Sequence, residues 1–189
     1  MFKKFRSWFQ HEDAHIDIKF ENQNAQINGH QFQLTRADTD DVDEMLRLEQ
    51  SVYDGQTPWD RMAFLSELRK RELSLYLVLW DEQKLVAFIG CWFTKRESHI
   101  TNIAVAPQYQ GQGVGKYLMQ FMIDMAISFD SQAMTLEVRT TNVIAKGLYH
   151  KLGFEDGPVK RGYYVMDHSD AMEMRKALNE ILPVEERNQ

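Results

Sequence analysis

The spacing of hydrophobic residues changes along the chain in a way that separates strands from helices. Leu73 to Trp80 and Leu85 to Phe93 are apolar runs rich in β-branched and aromatic residues, and the polar Asp81-Glu82-Gln83-Lys84 between them predicts an antiparallel hairpin. His99 to Val105 follows the polar turn Lys95 to Ser98 as a third strand, and Met134 to Val138 reads as another. Helical spacing starts after Asp38, with Val42, Met45, Leu46 and Leu48 apolar and Asp40, Asp41, Asp43 and Glu44 near the start, where the helix dipole favours acids. Asp54-Gly55 and Pro58 end that helix, and Pro58-Trp59 opens a second to about Lys70. Tyr117 to Phe129 and Val143 to Leu152 are helical by length and period, with Gly153 as a left-handed stop and Phe154 folding back. Tyr163 to Met166 and Ala171 to Arg175 are the last expected strands. The pattern predicts an α/β fold with strands and helices mixed unevenly around one sheet.

The first thirty or so residues read differently. Phe2, Phe5 and Phe9 would share a face if helical, interleaved with Lys3, Lys4 and Arg6, so a membrane-surface or partner-docking arm stands beside the blander reading of aromatics packed on the domain or a frayed arm. His15 to Phe20 alternates apolar and polar, and Asn28-Gly29 signals a turn into Phe32 to Leu34. The expected organisation is an N-terminal extension over 1–30, one domain over 31–182 and a C-terminal tail over 183–189.

Composition narrows the class. With 189 residues, 43% of them hydrophobic, one compact domain is expected and global disorder is excluded. The 28 acids against 22 bases give a charge of −6, which argues against a general affinity for nucleic acid. The lone Cys91 cannot form an internal disulfide, and on its apolar strand it reads as a small core residue. The longest apolar run, Leu85 to Phe93, is too short for a membrane span, and the first residues lack the apolar core of a secretory signal. A cytoplasmic protein is the expectation.

The most informative stretch is Ile103-Ala104-Val105-Ala106-Pro107-Gln108-Tyr109-Gln110-Gly111-Gln112-Gly113-Val114-Gly115-Lys116: a strand, a Pro-marked turn, a glycine-rich loop and a helix. Glycines let backbone approach an anion closely, and unpaired N–H groups of a first helical turn bind phosphate oxygens. A Rossmann fingerprint would need glycine where Lys116 or Leu118 stands, and a Walker A loop would need glycine at Gln110 and a hydroxyl at Tyr117. Both readings fail.

What survives, Gln110-x-x-Gly113-x-Gly115, resembles the pyrophosphate loop of the GNAT superfamily of acyl-CoA N-acyltransferases. The likeness extends through Ile103-Ala104-Val105-x-Pro107, Leu136-Glu137-Val138-Arg139-x-x-Asn142, Leu148-Tyr149-x-x-Leu152-Gly153-Phe154, Arg161-x-Tyr163-Tyr164 and Pro58-Trp59, which are similar to the ribosomal-protein-alanine N-acetyltransferase branch. It runs from Leu34 to Lys176. The resemblance implies a mixed, largely antiparallel sheet flanked by helices, with a splayed strand pair holding acetyl-CoA as cosubstrate. It implies that Ile103, Ala104 and Val105 pair with the pantetheine arm, that Gly111, Gln112, Gly113, Val114, Gly115 and Lys116 hold the pyrophosphate, and that Asn142 contacts the CoA arm. Acetyl would pass by direct attack to a protein N-terminal α-amine, with a ribosomal protein as partner; the alternatives are a Lys side chain or small-molecule amine, or a catalytically silent acyl-CoA-binding module.

Acetyl transfer needs a neutral amine, a polarised carbonyl and a proton for the departing thiolate. Glu137 interrupts an apolar strand on the face opposite Leu136 and Val138, and it stands either as a base or as a partner of Arg139. Tyr149 offers a phenol proton, and Asn142 lies two helical turns before it on the same face. The resemblance makes Glu137 the base and Tyr149 the acid. His11-Glu12-Asp13-Ala14-His15 matches a zinc-hydrolase motif literally but sits in the arm with no third ligand in view, so no metal is expected. The neighbours His168-Ser169-Asp170 cannot face one another as a triad does.

Overall fold

A computed structural model describes residues 18–53, 55, 57 and 59–178. The basic aromatic start, the His11–His15 motif, Pro58 and the tail 183–189 lie outside the described residues.

The apolar runs form strands. β1 (Gln23–Ile27), β2 (His30–Arg36), β3 (Ser74–Asp81), β4 (Lys84–Trp92), β5 (Ser98–Val105), β6 (Ala133–Arg139), β7 (Glu155–Lys160) and β8 (Ala171–Ala177) make one sheet in the order β1-β2-β3-β4-β5-β6-β8-β7. Every neighbouring pair is antiparallel except β5 and β6. Both faces of the central strands are buried: Leu75, Leu77 and Leu79 enter one core, while Tyr76 and Val78 enter the other. Helices α1 (Val42–Val52) and α2 (Arg61–Leu68) cover the Tyr76 face through Val42, Met45, Leu48 and Phe64. Helices α3 (Val114–Ser128) and α4 (Val143–Lys151) cover the other through Leu118, Met119, Met122 and Tyr149.

Helix ends follow local chemistry. Asp38 and Asp41 form a reciprocal capping box ahead of α1. The Asp60 carboxylate accepts from the Ala63 N–H at 2.7 Å and starts α2 at Arg61, two residues later than the expected Trp59, which is instead buried against Phe64 and Tyr76. Gly153, at φ +84°, closes α4, and the Phe154 N–H returns to the Tyr149 carbonyl at 3.0 Å.

Two strands differ from expectation. The first described strand is Gln23–Ile27 rather than His15 to Phe20; the turn Asn28-Gly29, at φ +49° and +85°, pairs it in tight register with β2. The sheet thus includes residues that the hydrophobic pattern assigned to an extension. Tyr163 to Met166 is a turn, and the strand is Glu155–Lys160, an edge strand carrying Gly157-Pro158. An edge tolerates proline and exposes both faces, so β7 leaves no hydrophobic alternation to read. The Tyr163-Tyr164 turn is tied down by Asp170, which accepts from the Gly162 N–H at 2.8 Å.

Candidate active site

The sheet opens at its one parallel pair. Strands β5 and β6 are in register at Ser98↔Met134, His99↔Thr135 and Ile100↔Leu136, and their pairing stops there although β5 continues to Val105 and β6 to Arg139. On its other edge β5 stays bonded to β4 as far as Val105. A bulge marks the opening: Cys91 pairs with Ile100 and Gly90 with Asn102, which leaves Thr101 extra. The Tyr76 hydroxyl lies 2.7 Å from Thr101 Oγ1, and its ring covers Gly90 so closely that an added Cβ would sit 2.2 Å from it. Ile103, Ala104 and Val105 thus border the cleft where β5 has parted from β6.

At the Val105 end of that cleft lies the glycine loop. Gly113, at φ +88°, precedes α3 with no side-chain cap, so the first-turn N–H groups of Val114, Gly115 and Lys116 have no partner within the helix. Asn28 Nδ2 donates to the Gln112 carbonyl at 2.6 Å, and Gln110 Nε2 donates to the Val105 carbonyl at 2.9 Å. Gly115 lets α3 approach α4; a Cβ there would meet Leu148 at 3.4 Å. This arrangement suits an anion. Helix α3 begins three residues before the expected Tyr117 because the left-handed Gly113 is already its cap.

Glu137 is nearly enclosed, its side chain 7% exposed. Oε1 accepts from Lys160 Nζ at 2.5 Å, and Oε2 lies 3.2 Å from His99 Nε2. Burial alone would raise this carboxyl, but His99 and Lys160 outweigh it and hold it at about 2. The alternative pairing with Arg139 does not occur. Arg139 bonds Asp167 at 2.6 Å and Ser169, and its guanidinium stacks 4.1 Å from the Tyr164 ring.

Tyr149 comes from α4 on the opposite face of the sheet and is buried, which raises its phenol well above the usual tyrosine range with smaller contributions from Tyr53 and Tyr164. Burial likewise raises the Tyr164 phenol well above the usual tyrosine range. The exposed Asn142 caps α4, its Oδ1 accepting from the Ala145 N–H at 3.0 Å. Cys91 is fully buried and its thiol is pushed up by burial, as suits a core residue. Ser169 faces Arg139 and Asp167 while Asp170 faces Arg161, so His168-Ser169-Asp170 makes no triad. Among the described residues no group of three or more His, Cys, Asp or Glu could hold a metal, and no helix is long and apolar enough to cross a membrane.

Sequence reasoning missed His99, Lys160 and Glu49. His99, like Glu137, is a polar residue interrupting an apolar strand, and that signal was available. Lys160 carried none. Glu49 is fully buried in α1, accepting from Asn102 Nδ2 at 2.7 Å and from the Trp59 N–H at 3.3 Å; burial pushes its carboxyl up to about 7 against those two donors.

The chain matches the Acetyltransferase (GNAT) family over residues 39–154. The N-alpha-acetyltransferase RimI of Mycobacterium tuberculosis is 34% identical over 147 residues, covering 76% of this chain and 89% of that protein. The ribosomal protein bS18-alanine N-acetyltransferase of Escherichia coli is 32% identical over 131 residues, covering 69% and 86%. The crystal structure of the ribosomal-protein-S18-alanine N-acetyltransferase from Escherichia coli superposes with a TM-score of 0.69 at 31% identity, covering 80% of this chain and 98% of that one.

Proposed function

This chain belongs to the acetyltransferase (GNAT) family, and from that premise we propose that it transfers the acetyl group of acetyl-CoA to a protein N-terminal α-amine of the ribosomal-protein-alanine type. The observation that carries the reading is the placement of Glu137 and Tyr149 on opposite faces of a parallel strand pair that separates beside an uncapped glycine-loop helix. In this reading Gly111, Gln112, Gly113, Val114, Gly115 and Lys116 hold the pyrophosphate, Ile103, Ala104 and Val105 line the pantetheine arm, and Asn142 contacts it. A backbone N–H of β5 polarises the thioester carbonyl. The α-amine attacks that carbon, the C–S bond breaks, Glu137 takes the amine proton and the Tyr149 phenol supplies one to the thiolate.

The carboxyl at about 2 bears on the acceptor. A base that weak cannot strip a strongly held proton, so the amine must arrive largely neutral. An α-amine near 7.7 to 8.0 is neutral in roughly one molecule in ten at pH 7, whereas a lysine amine near 10.4 is neutral in about one in a few thousand. The difference favours a chain terminus over a side chain. The relatives named for ribosomal protein bS18 support a ribosomal partner and hence a cytoplasmic site of action.

The test is free-thiol release with an Ala-starting peptide, the same peptide blocked at its N terminus, and spermidine. Release with the free-amine peptide alone supports the proposal. Release with spermidine alone transfers the activity to small amines, and release with none despite acetyl-CoA binding makes the chain a silent acyl-CoA-binding module.

A further inference from the structure

Glu49 is buried in α1, takes no part in the transfer chemistry, and gives each of its side-chain oxygens a different partner. Oε1 accepts from Asn102 Nδ2 of β5 at 2.7 Å, and Oε2 accepts from the Trp59 N–H at 3.3 Å. Its backbone carbonyl accepts from the Tyr53 N–H at 2.9 Å, at the end of α1. One residue thus holds both ends of the connection between α1 and α2, Tyr53 by its main chain and Trp59 by its side chain. The same side chain joins that connection to the strand bordering the cleft.

The bulge in β5 aims this link. Thr101 and Asn102 are successive residues whose side chains would point to opposite faces in a regular strand, yet both turn toward α1 and α2. Thr101 Oγ1 meets the Tyr76 hydroxyl, and Asn102 meets Glu49. The Trp59 ring lies 6.2 Å from that of Tyr76, so Glu49, Asn102, Thr101, Tyr76 and Trp59 close a circuit around the point where the cleft opens.

The acceptor's target lies on that face as well. Leu136 and Val138 of β6 enter the core covered by α3 and α4, so Glu137 between them points to the side covered by α1 and α2. The Trp92 ring, 6.0 Å from that of His99, donates its indole N–H to Glu67 of α2 at 2.6 Å, which puts α2 on the same side. An amine that delivers its proton to Glu137 therefore arrives on the face to which the α1–α2 connection belongs.

We propose that Glu49 is a positioning residue for acetyl transfer, fastening the α1–α2 connection to β5 and so setting the acceptor's side of the cleft against the thioester's. The inference rests on the function proposed above. Strand β5 keeps its pairing with β4 as far as Val105 without Glu49, so losing the clasp releases the connection and leaves the cofactor's strand in place. The clasp calls for two hydrogen-bonding atoms on one planar head rather than for charge. Glutamine supplies them: its carbonyl accepts from the Trp59 N–H, and its amide N–H donates to the Asn102 oxygen once that side chain turns over. Leucine fills the space and supplies neither.

Hydrogen exchange of the full chain, read by NMR without substrate, tests the clasp. The Trp59 amide should exchange about 10-fold faster in Glu49→Leu, with the amides of β3 and β4 unchanged, and Glu49→Gln should return it to the parent rate. In steady-state acetylation of the Ala-starting peptide, Glu49→Leu should raise the peptide KM about 10-fold with the acetyl-CoA KM unchanged, and Glu49→Gln should restore it. Asn102→Ala cuts only the β5 half of the clasp, and it keeps the test open if Glu49→Leu does not fold. It should leave Trp59 exchange at the parent rate and raise the peptide KM in the same direction. Trp59 exchange that is alike in the parent and Glu49→Leu, a peptide KM that neither Glu49→Leu nor Asn102→Ala moves, an acetyl-CoA KM that rises with the peptide's, or a Glu49→Gln variant that behaves as Glu49→Leu overturns the proposal. A parent chain that releases no thiol overturns the function instead, and the two failures are separable because exchange at Trp59 is measured without acetyl-CoA or peptide.

Discussion

A carboxylate held at about 2 keeps its charge at any pH the cell meets, and in Glu137 that charge is fixed by His99 and Lys160 rather than by solvent. In the proposed reaction its value is a standing negative charge beside the attacking amine. Glu137→Gln keeps the size and removes the charge, so kcat should fall about 100-fold or more while acetyl-CoA affinity, measured by calorimetry, stays the same. An equal loss of affinity would contradict the base role. Tyr149 is the complementary case. Its burial pushes the phenol up, so it remains protonated and able to donate at neutral pH. Tyr149→Phe should lower kcat on a similar scale with the acetyl-CoA KM intact, and unchanged turnover would remove the residue from the chemistry.

Elements are placed by contacts that a linear reading reaches unevenly. The hairpin of β3 and β4, the strand β5, the loop that follows it and helix α4 were legible because both their spacing and their turn residues are local. Edge strand β7 was not, because an exposed strand with Gly157-Pro158 has no buried face to imprint on the sequence. His99 was legible as a polar interruption of an apolar strand, but its meeting with Glu137 was not: it comes through the β5–β6 register, as the Lys160 contact comes through β7, and neither pairing is written locally. Gly90 shows how tightly such pairing is set. Its missing Cβ makes room for the Tyr76 ring that bonds Thr101 at the bulge. Gly90→Ala should destabilise the fold by about 1–3 kcal/mol, read as a lower urea midpoint, and should raise the acetyl-CoA KM by disturbing the bulge. Gly113 is constrained more by its left-handed φ than by space, a Cβ there sitting 3.0 Å from Asn28 Nδ2. Saturating acetyl-CoA should raise the thermal midpoint of the parent, and Gly113→Glu, which also places a carboxylate at the proposed pyrophosphate site, should abolish that rise.

For the whole molecule, two buried carboxylates pull stability in opposite directions as pH changes. Glu49 has its folded-state value raised from 4.5 to about 7 by burial, so its contribution is fully present below 4.5 and is lost as pH rises through 7. Glu137 is depressed from 4.5 to about 2, so its contribution is present above 4.5 and is lost as pH falls through 2. Each shift corresponds to roughly 3 kcal/mol. The two windows do not overlap, and each can be read by itself. Between pH 4.5 and 7, Glu49→Gln should lose less stability than the parent, because glutamine keeps an acceptor for Asn102 without acquiring a buried charge. Urea midpoints across that range should therefore show the variant gaining on the parent as pH rises, and a constant difference would show that Glu49 does not titrate there. Because Glu49 joins α1 both to Trp59 and to β5 beside the bulge, its ionisation near neutral pH loads the same strand that borders the cleft. The variant should consequently keep its acetyl-CoA-induced rise in thermal midpoint at pH 8 at least as well as the parent does.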